Sequence, residues 1–135
     1  MVTDITVRNS PYGAEDRSWT IGEHGFDASD NVPLDFTLFS HANFTATNQI
    51  KSGCVLGKVT ATGKYGPYDA AATDGRQNPV YHLFNTVTIP ANKATVASDA
   101  GLWHFMCREQ RLPYTSGPGA LDANAKTKLT NVRYV

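Results

Sequence analysis

The feature that most constrains the fold of this chain is a set of short apolar runs with a period of two residues. In the first run, Val32, Leu34, Phe36 and Leu38 alternate with other residues. Side chains on a strand point alternately to its two faces, so this pattern predicts a half-buried strand that begins at Val32. Pro33 lacks a backbone donor, which favours a sheet edge for its start. The sequence therefore favours a mainly β domain.

Three further alternating runs, at residues 53–62, 80–89 and 102–109, predict three more strands. A short helix is predicted at residues 123–129 and a terminal strand at residues 131–135. Gly53 and Gly57 in the second strand indicate a bend or a close backbone approach. Asp122 precedes the helix and is typical of an N-cap. Residues 63–77 are rich in Gly, Pro and Asp, which predicts a long ordered loop.

The N-terminal segment, residues 1–31, lacks any long periodic run, and its apolar residues are isolated. We expect an extended arm over residues 1–31 and a β-rich domain over residues 32–135. We expect the arm to contact a partner surface through its apolar residues Ile5, Val7, Tyr12, Trp19 and Ile21. A segment of this kind buries such side chains on a partner surface, so we expect Trp19→Ala to leave the stability of the free protein nearly unchanged.

The composition sets limits on partners. The 135 residues fit one domain, and 12 Lys and Arg balance 12 Asp and Glu for a formal net charge of +0. This balance argues against a nucleic-acid binder, whose affinity depends on excess positive charge. We expect no membrane span, because no apolar run approaches the roughly 20 residues that a span requires. We expect no export signal, because the N-terminal residues show no basic region followed by an apolar run.

The residues that could support chemistry form no specific pattern. Cys54 and Cys107 show no metal-ligand spacing and are too few for a disulfide scaffold. The histidines are isolated in the sequence, at His24, His41, His82 and His104. The glycines match no phosphate-binding motif, and the carboxylates nominate no catalytic pair. We therefore expect no enzyme activity, no cofactor and no metal; a Cys/His hydrolase remains an alternative that requires an exposed cysteine beside a histidine.

A family resemblance lies in residues 52–69 (SGCVLGKVTATGKYGPYD) and 72–76 (ATDGR), and again in residues 108–113 (REQRLP), 121–126 (LDANAK) and 132–134 (VRY). These stretches resemble the head decoration proteins of tailed bacteriophages, the lambda decoration protein D family. The resemblance covers about two thirds of the chain, mostly after Val32. Cys54 stands where a small polar residue such as Thr is expected.

The resemblance implies a small β-tulip or barrel-like domain with one short C-terminal helix and an extended N-terminal arm. It also implies a non-catalytic capsid decoration, or cement, protein that binds the major capsid protein as a homotrimer and stabilises the expanded head. The expected location is the outer capsid surface of the virion, after assembly in the host cytoplasm.

Two finer expectations concern apolar residues near the turns. Tyr65, Pro67, Tyr68 and Leu112 are expected in the trimer contact, because a small domain with low charge should bury such residues in a closed cyclic interface. An alternative function is a carbohydrate-binding or cell-adhesion module displayed on the virion. That alternative depends on exposed side chains at Tyr65, Tyr68 and Tyr81.

Overall fold

The computed structural model describes residues 15–135, and within them the chain forms nine short strands and two short helices. The strands are β1 (Asp30–Leu34), β2 (Gln49–Ile50), β3 (Val55–Lys58), β4 (Tyr65–Pro67), β5 (Pro79–Leu83), β6 (Val87–Thr88), β7 (Ala97–Leu102), β8 (Phe105–Cys107) and β9 (Val132–Tyr134). The helices are α1 (Ala42–Thr45) and α2 (Ala123–Lys128), and 3-10 turns occupy Phe26–Ala28, Phe36–Leu38 and Glu109–Arg111. The fold is mainly β, as the sequence predicts.

Five of the strands close into a barrel in the order β1-β4-β3-β5-β7. Strand β1 runs antiparallel to β7 over five residue pairs, from Asp30 opposite Gly101 to Leu34 opposite Ala97. One parallel pair, Leu34 with Tyr65, joins β1 to β4. This pair closes the ring, so the barrel strands present no free edge at that seam.

The close backbone approach expected at the glycines of residues 53–62 is confirmed, and β3 also contains a bulge. The pairing of β3 with β5 changes register between Leu56 and Gly57. A Cβ atom on Gly57 would lie 2.6 Å from the carbonyl oxygen of Arg76, and one on Gly53 would lie 2.9 Å from Pro113 Cδ. Only glycine leaves room for the neighbouring chain at these two positions.

The apolar side chains form two clusters. The first includes Val32 and Leu34 of β1, Phe44 of α1 and Leu56 of β3. The second lies between the barrel and the C-terminal elements, and its buried members are Trp19, Val55, Tyr68, Leu102, Phe105, Cys107, Leu112, Ala125, Leu129 and Val132. This second cluster connects the N-terminal and C-terminal parts of the described chain.

Two small ribbons lie outside the barrel. Strands β2 and β6 form one antiparallel ribbon, and β8 and β9 form a parallel ribbon. The predicted C-terminal helix and terminal strand are confirmed as α2 and β9. Asp122 caps α2 as expected, since its carboxylate accepts the backbone N–H of Ala125 at 2.8 Å.

The predicted strand from Val32 to Leu38 is wrong in its second half. Strand β1 ends at Leu34, and Phe36–Leu38 forms a 3-10 turn. The side chain of Asp35 accepts the backbone N–H of Thr37 at 3.1 Å, which favours a turn at this point. Phe36 is buried all the same, so the alternation of apolar residues continues across the turn.

Three other predicted elements are broken or misassigned. The run 80–89 divides between β5 in the barrel and β6 in the separate ribbon, and the run 102–109 divides between β7 and β8. The predicted loop 63–77 contains β4, a barrel strand of three residues. In each case, strands of two to six residues are too short for a period of two to fix their ends.

Candidate functional site

The described part of the predicted arm is joined to β8 by backbone hydrogen bonds. The N–H of Ile21 donates to the carbonyl of Met106 at 3.2 Å, and the N–H of Arg108 donates to the carbonyl of Trp19 at 2.7 Å. Residues 19–21 therefore extend the β8–β9 ribbon as a short antiparallel segment. Ile5, Val7 and Tyr12 lie outside the described residues.

Trp19 is fully buried in the free chain, which corrects the expectation that it becomes buried only on a partner. Its indole stacks on the imidazole of His82 with ring centres 5.8 Å apart and meets the edge of Phe105 at 5.3 Å. Its Nε1–H donates to Ser52 Oγ at 3.2 Å. Isolated apolar residues give no sequence signal for such long-range packing, so the predicted boundary at residue 31 does not separate Trp19 from the core.

His82 lies at the centre of this packing as a structural residue. Its Nδ1 is 3.0 Å from the carbonyl oxygen of Gly53, and its Nε2 is 2.7 Å from the Tyr134 hydroxyl. A carbonyl only accepts, so Nδ1 holds the proton and Nε2 accepts from the hydroxyl. Burial lowers the pKa of His82 to about 4, because the charged form loses its hydration. This histidine stays neutral at physiological pH.

The start of the described chain is fixed beside residues 84–86. The guanidinium carbon of Arg17 lies 4.1 Å from the ring centre of Phe84, and its Nη2 bonds to the side chain of Asn85. The carboxylate of Glu15 accepts the backbone N–H of Thr86. The first described residues are therefore held beside the segment that leads into β6.

The residues expected in a trimer contact are buried within the protomer. Tyr65 is 8%, Tyr68 2% and Leu112 9% exposed, and Pro67 is also buried. Tyr68 directs its hydroxyl to the Asp122 carboxylate at 2.8 Å. The turn composition suggested surface positions, whereas β4 and the segment after it pack inside the domain.

The carbohydrate-binding alternative required exposed tyrosine side chains, and the structure does not provide them. Tyr65 and Tyr68 present little ring surface, and Tyr81 is only partly exposed, with its hydroxyl donating to Asp30 at 2.7 Å. A sugar-binding platform needs an open aromatic face. None of the three tyrosines supplies one.

Both cysteines are free and buried. Burial raises the pKa of both thiols, that of Cys107 to about 12. A thiol that keeps its proton is a poor nucleophile and a poor metal ligand, so the Cys/His hydrolase lacks the exposed cysteine that it requires. Among residues 15–135, no three potential metal-ligating side chains of His, Cys, Asp or Glu gather at one place.

The exposed large apolar side chains of the described region are Val96, Val135 and Trp103, which are 73%, 55% and 37% exposed. Trp103 lines a groove with Tyr81 and Lys128, and its Nε1–H donates to the carbonyl of Ala28 at 2.6 Å. An uninterrupted strand over residues 102–109, as its alternation predicts, puts Trp103 on the same face as the buried Phe105. The break between β7 and β8 reverses that assignment.

None of the helices in residues 15–135 combines the length and apolar character needed to cross a membrane.

In a comparison with known proteins, residues 37–104 match the family of the bacteriophage lambda head decoration protein D. The matched segment is half of the chain and contains four of the five barrel strands, β3, β4, β5 and β7. Neither the curated proteins nor the solved structures include a match. The match thus covers most of the barrel, and the resemblance noted in residues 52–69 falls inside it. The chain therefore belongs to the bacteriophage lambda head decoration protein D family, a family of structural proteins of the phage capsid.

Proposed function

We propose that this protein binds the outer surface of the expanded phage head as a homotrimer and stabilises the shell of the major capsid protein, without catalysis. Assembly onto the head takes place in the host cytoplasm. The observation that supports the proposal is the family match across the barrel. The homotrimer and its position on the outer surface are implied by the family resemblance.

We assign capsid binding to residues 1–14. This segment contains Ile5, Val7 and Tyr12 between polar residues, and it continues from a chain that is fixed beside residues 84–86. Shortly after this segment the buried side chain of Trp19 anchors the chain in the core, so a force on residues 1–14 is transmitted to the barrel. A segment anchored in this way can hold neighbouring capsid subunits together.

The energetics of the segment depend on its apolar residues. Ordering one residue costs about 1–2 kcal/mol, and a net hydrogen bond contributes about 0.5–1.5 kcal/mol, so backbone pairing alone is nearly balanced. Burying Ile5, Val7 or Tyr12 on the capsid adds about 1.5–3 kcal/mol each. Three such segments on one trimer increase the overall affinity by roughly 10²–10⁴. A chain with a formal net charge of +0 thus binds without strong electrostatic attraction.

We propose that the trimer contact uses other residues than those expected from the sequence. Tyr65, Pro67, Tyr68 and Leu112 are largely used within the protomer. Trp103 and Val135 are the positions at which substitution by Glu tests the contact, because their side chains are exposed in a single chain. Light scattering of each variant, free and on heads, reports a loss of association.

The experiment that tests the function is co-sedimentation with expanded heads that lack a decoration protein. Full-length protein should saturate the heads, whereas a chain without residues 1–14 and the Ile5→Asp/Val7→Asp variant should bind at least 100-fold more weakly. Circular dichroism of the free variants should be unchanged, because the apolar clusters of the described residues consist of side chains between Trp19 and Tyr134.

The matched control is Val96→Asp, which adds one negative charge, against two in the double variant, at an exposed valine outside the segment. It should retain head binding within a few-fold. If the truncated chain decorates heads as well as the full-length chain, the binding role of residues 1–14 is wrong. If the full-length chain itself does not bind, the proposed function is wrong.

A further inference from the structure

Two histidines outside the core bring their ring nitrogens together at the surface. Nε2 of His24 lies 2.9 Å from Nε2 of His104, and the ring centres are 4.8 Å apart at an interplanar angle of 65°. His24 is exposed and His104 is partly buried. The two residues are 80 positions apart in the chain, so the fold itself creates the pair.

The backbone around the pair is held in place by close contacts. Gly25 has a φ of +88°, and a Cβ atom there would lie 1.6 Å from the carbonyl oxygen of His104. Only glycine permits this approach. The indole of Trp103 lies 5.6 Å from the imidazole of His104, and its Nε1–H donates to Ala28 at 2.6 Å. The turn that contains His24 is thus fixed against the segment before β8 on both sides of the pair.

Converging imidazole nitrogens are the preferred ligands of zinc, nickel and copper ions. Zn–N bonds of about 2.0–2.1 Å at a tetrahedral ion place two ligand nitrogens roughly 3.3 Å apart. The observed 2.9 Å between the two Nε2 atoms needs only a small side-chain rotation to reach that separation. Both side chains remain accessible to an ion from solvent, since neither is fully buried.

We propose that His24 and His104 together bind one divalent transition-metal ion through their Nε2 atoms, with water in the remaining coordination positions. The ion is an accessory ligand, because the described region offers no third protein ligand at this place. It joins the turn of residues 22–28 to the segment that leads into β8. Binding therefore reinforces the attachment of the N-terminal part of the domain.

The test is calorimetric titration of untagged full-length protein with ZnCl₂ and, separately, NiCl₂. We expect one site per chain, and we expect His24→Gln and His104→Gln each to weaken the affinity roughly 100-fold, because one ligand then acts alone. Zinc should also raise the melting temperature of the parent protein, since the ion binds the folded state.

The matched control is His41→Asn. His41 is exposed, and its Nδ1 accepts the backbone N–H of Asn43 at 3.1 Å at the start of α1. Asn also serves as an N-cap, so this variant removes an imidazole and keeps the cap. Its metal affinity should equal that of the parent.

A measurement on the unmodified protein makes the test independent of the variants. In ¹⁵N NMR spectra, zinc should shift the Nε2 resonances of His24 and His104 and leave those of His41 and the buried His82 in place. The proposal is overturned if no one-site binding is measured, if the single variants bind as well as the parent, or if other histidines shift instead. The pair would then be a hydrogen bond between two imidazoles only.

Discussion

Replacing Trp19 by alanine tests whether the chain before β1 belongs to the folded domain. The side chain is fully buried, stacks on His82, meets the edge of Phe105 and donates to Ser52 Oγ. Truncating a buried Trp to Ala costs about 3–5 kcal/mol of unfolding free energy. A domain of this size has about 5–15 kcal/mol in total, so the variant should be close to its stability limit.

Urea unfolding followed by far-ultraviolet circular dichroism measures this loss without depending on tryptophan fluorescence. With a slope of about 1–3 kcal/mol per molar urea, the midpoint of Trp19→Ala should fall by at least about 1 M. Trp19→Phe keeps an aromatic ring and should lose less, and Val96→Ala, at a position that is 73% exposed, should change the free energy by about 0.5 kcal/mol or less. A loss below about 1 kcal/mol for Trp19→Ala would refute the assignment of Trp19 to the core.

Three further predictions concern buried groups. The pKa of His82 is about 4 in the folded protein and has its ordinary value of 6.5 in the unfolded chain. Between these two pH values the unfolded chain binds a proton that the folded protein does not bind. The free energy of unfolding should therefore fall by about 3 kcal/mol as the pH falls from 6.5 to 4. His82→Gln should remove this part of the pH dependence in urea unfolding measured at each pH. Gly57→Ala should cost about 1–3 kcal/mol, measured by thermal unfolding, because the new Cβ meets the backbone of Arg76. Cys54 and Cys107 should react with a thiol reagent only at the rate of unfolding, and rapid labelling of the folded protein would contradict their burial.

Local sequence signals predict the elements that are stabilised by local contacts. Asp122 marks the start of α2 because the cap hydrogen bond joins residues three positions apart. The glycines at positions 53 and 57 mark close backbone approaches because no other residue fits there. The mainly β class follows from alternation that continues even where Phe36–Leu38 forms a turn.

Long-range packing explains what the sequence does not show. Strand β4 has three residues with Gly and Pro among them, so its composition is that of a turn, and its pairing with β3 and β1 makes it a strand. Trp19 is isolated among polar residues and is buried by partners that lie more than 30 positions away. The pairing of His24 with His104 likewise depends on the turn at Gly25 meeting the segment before β8.

The most direct test of the central claim is electron cryo-microscopy of expanded heads incubated with the full-length protein. We expect three copies of the barrel at each three-fold and quasi-three-fold position on the outer surface, with density for residues 1–14 against the major capsid protein. The Ile5→Asp/Val7→Asp variant should lose that contact density together with its occupancy. Undecorated heads, or pairs of copies at two-fold positions, would show that the protein does not decorate the head as a trimer.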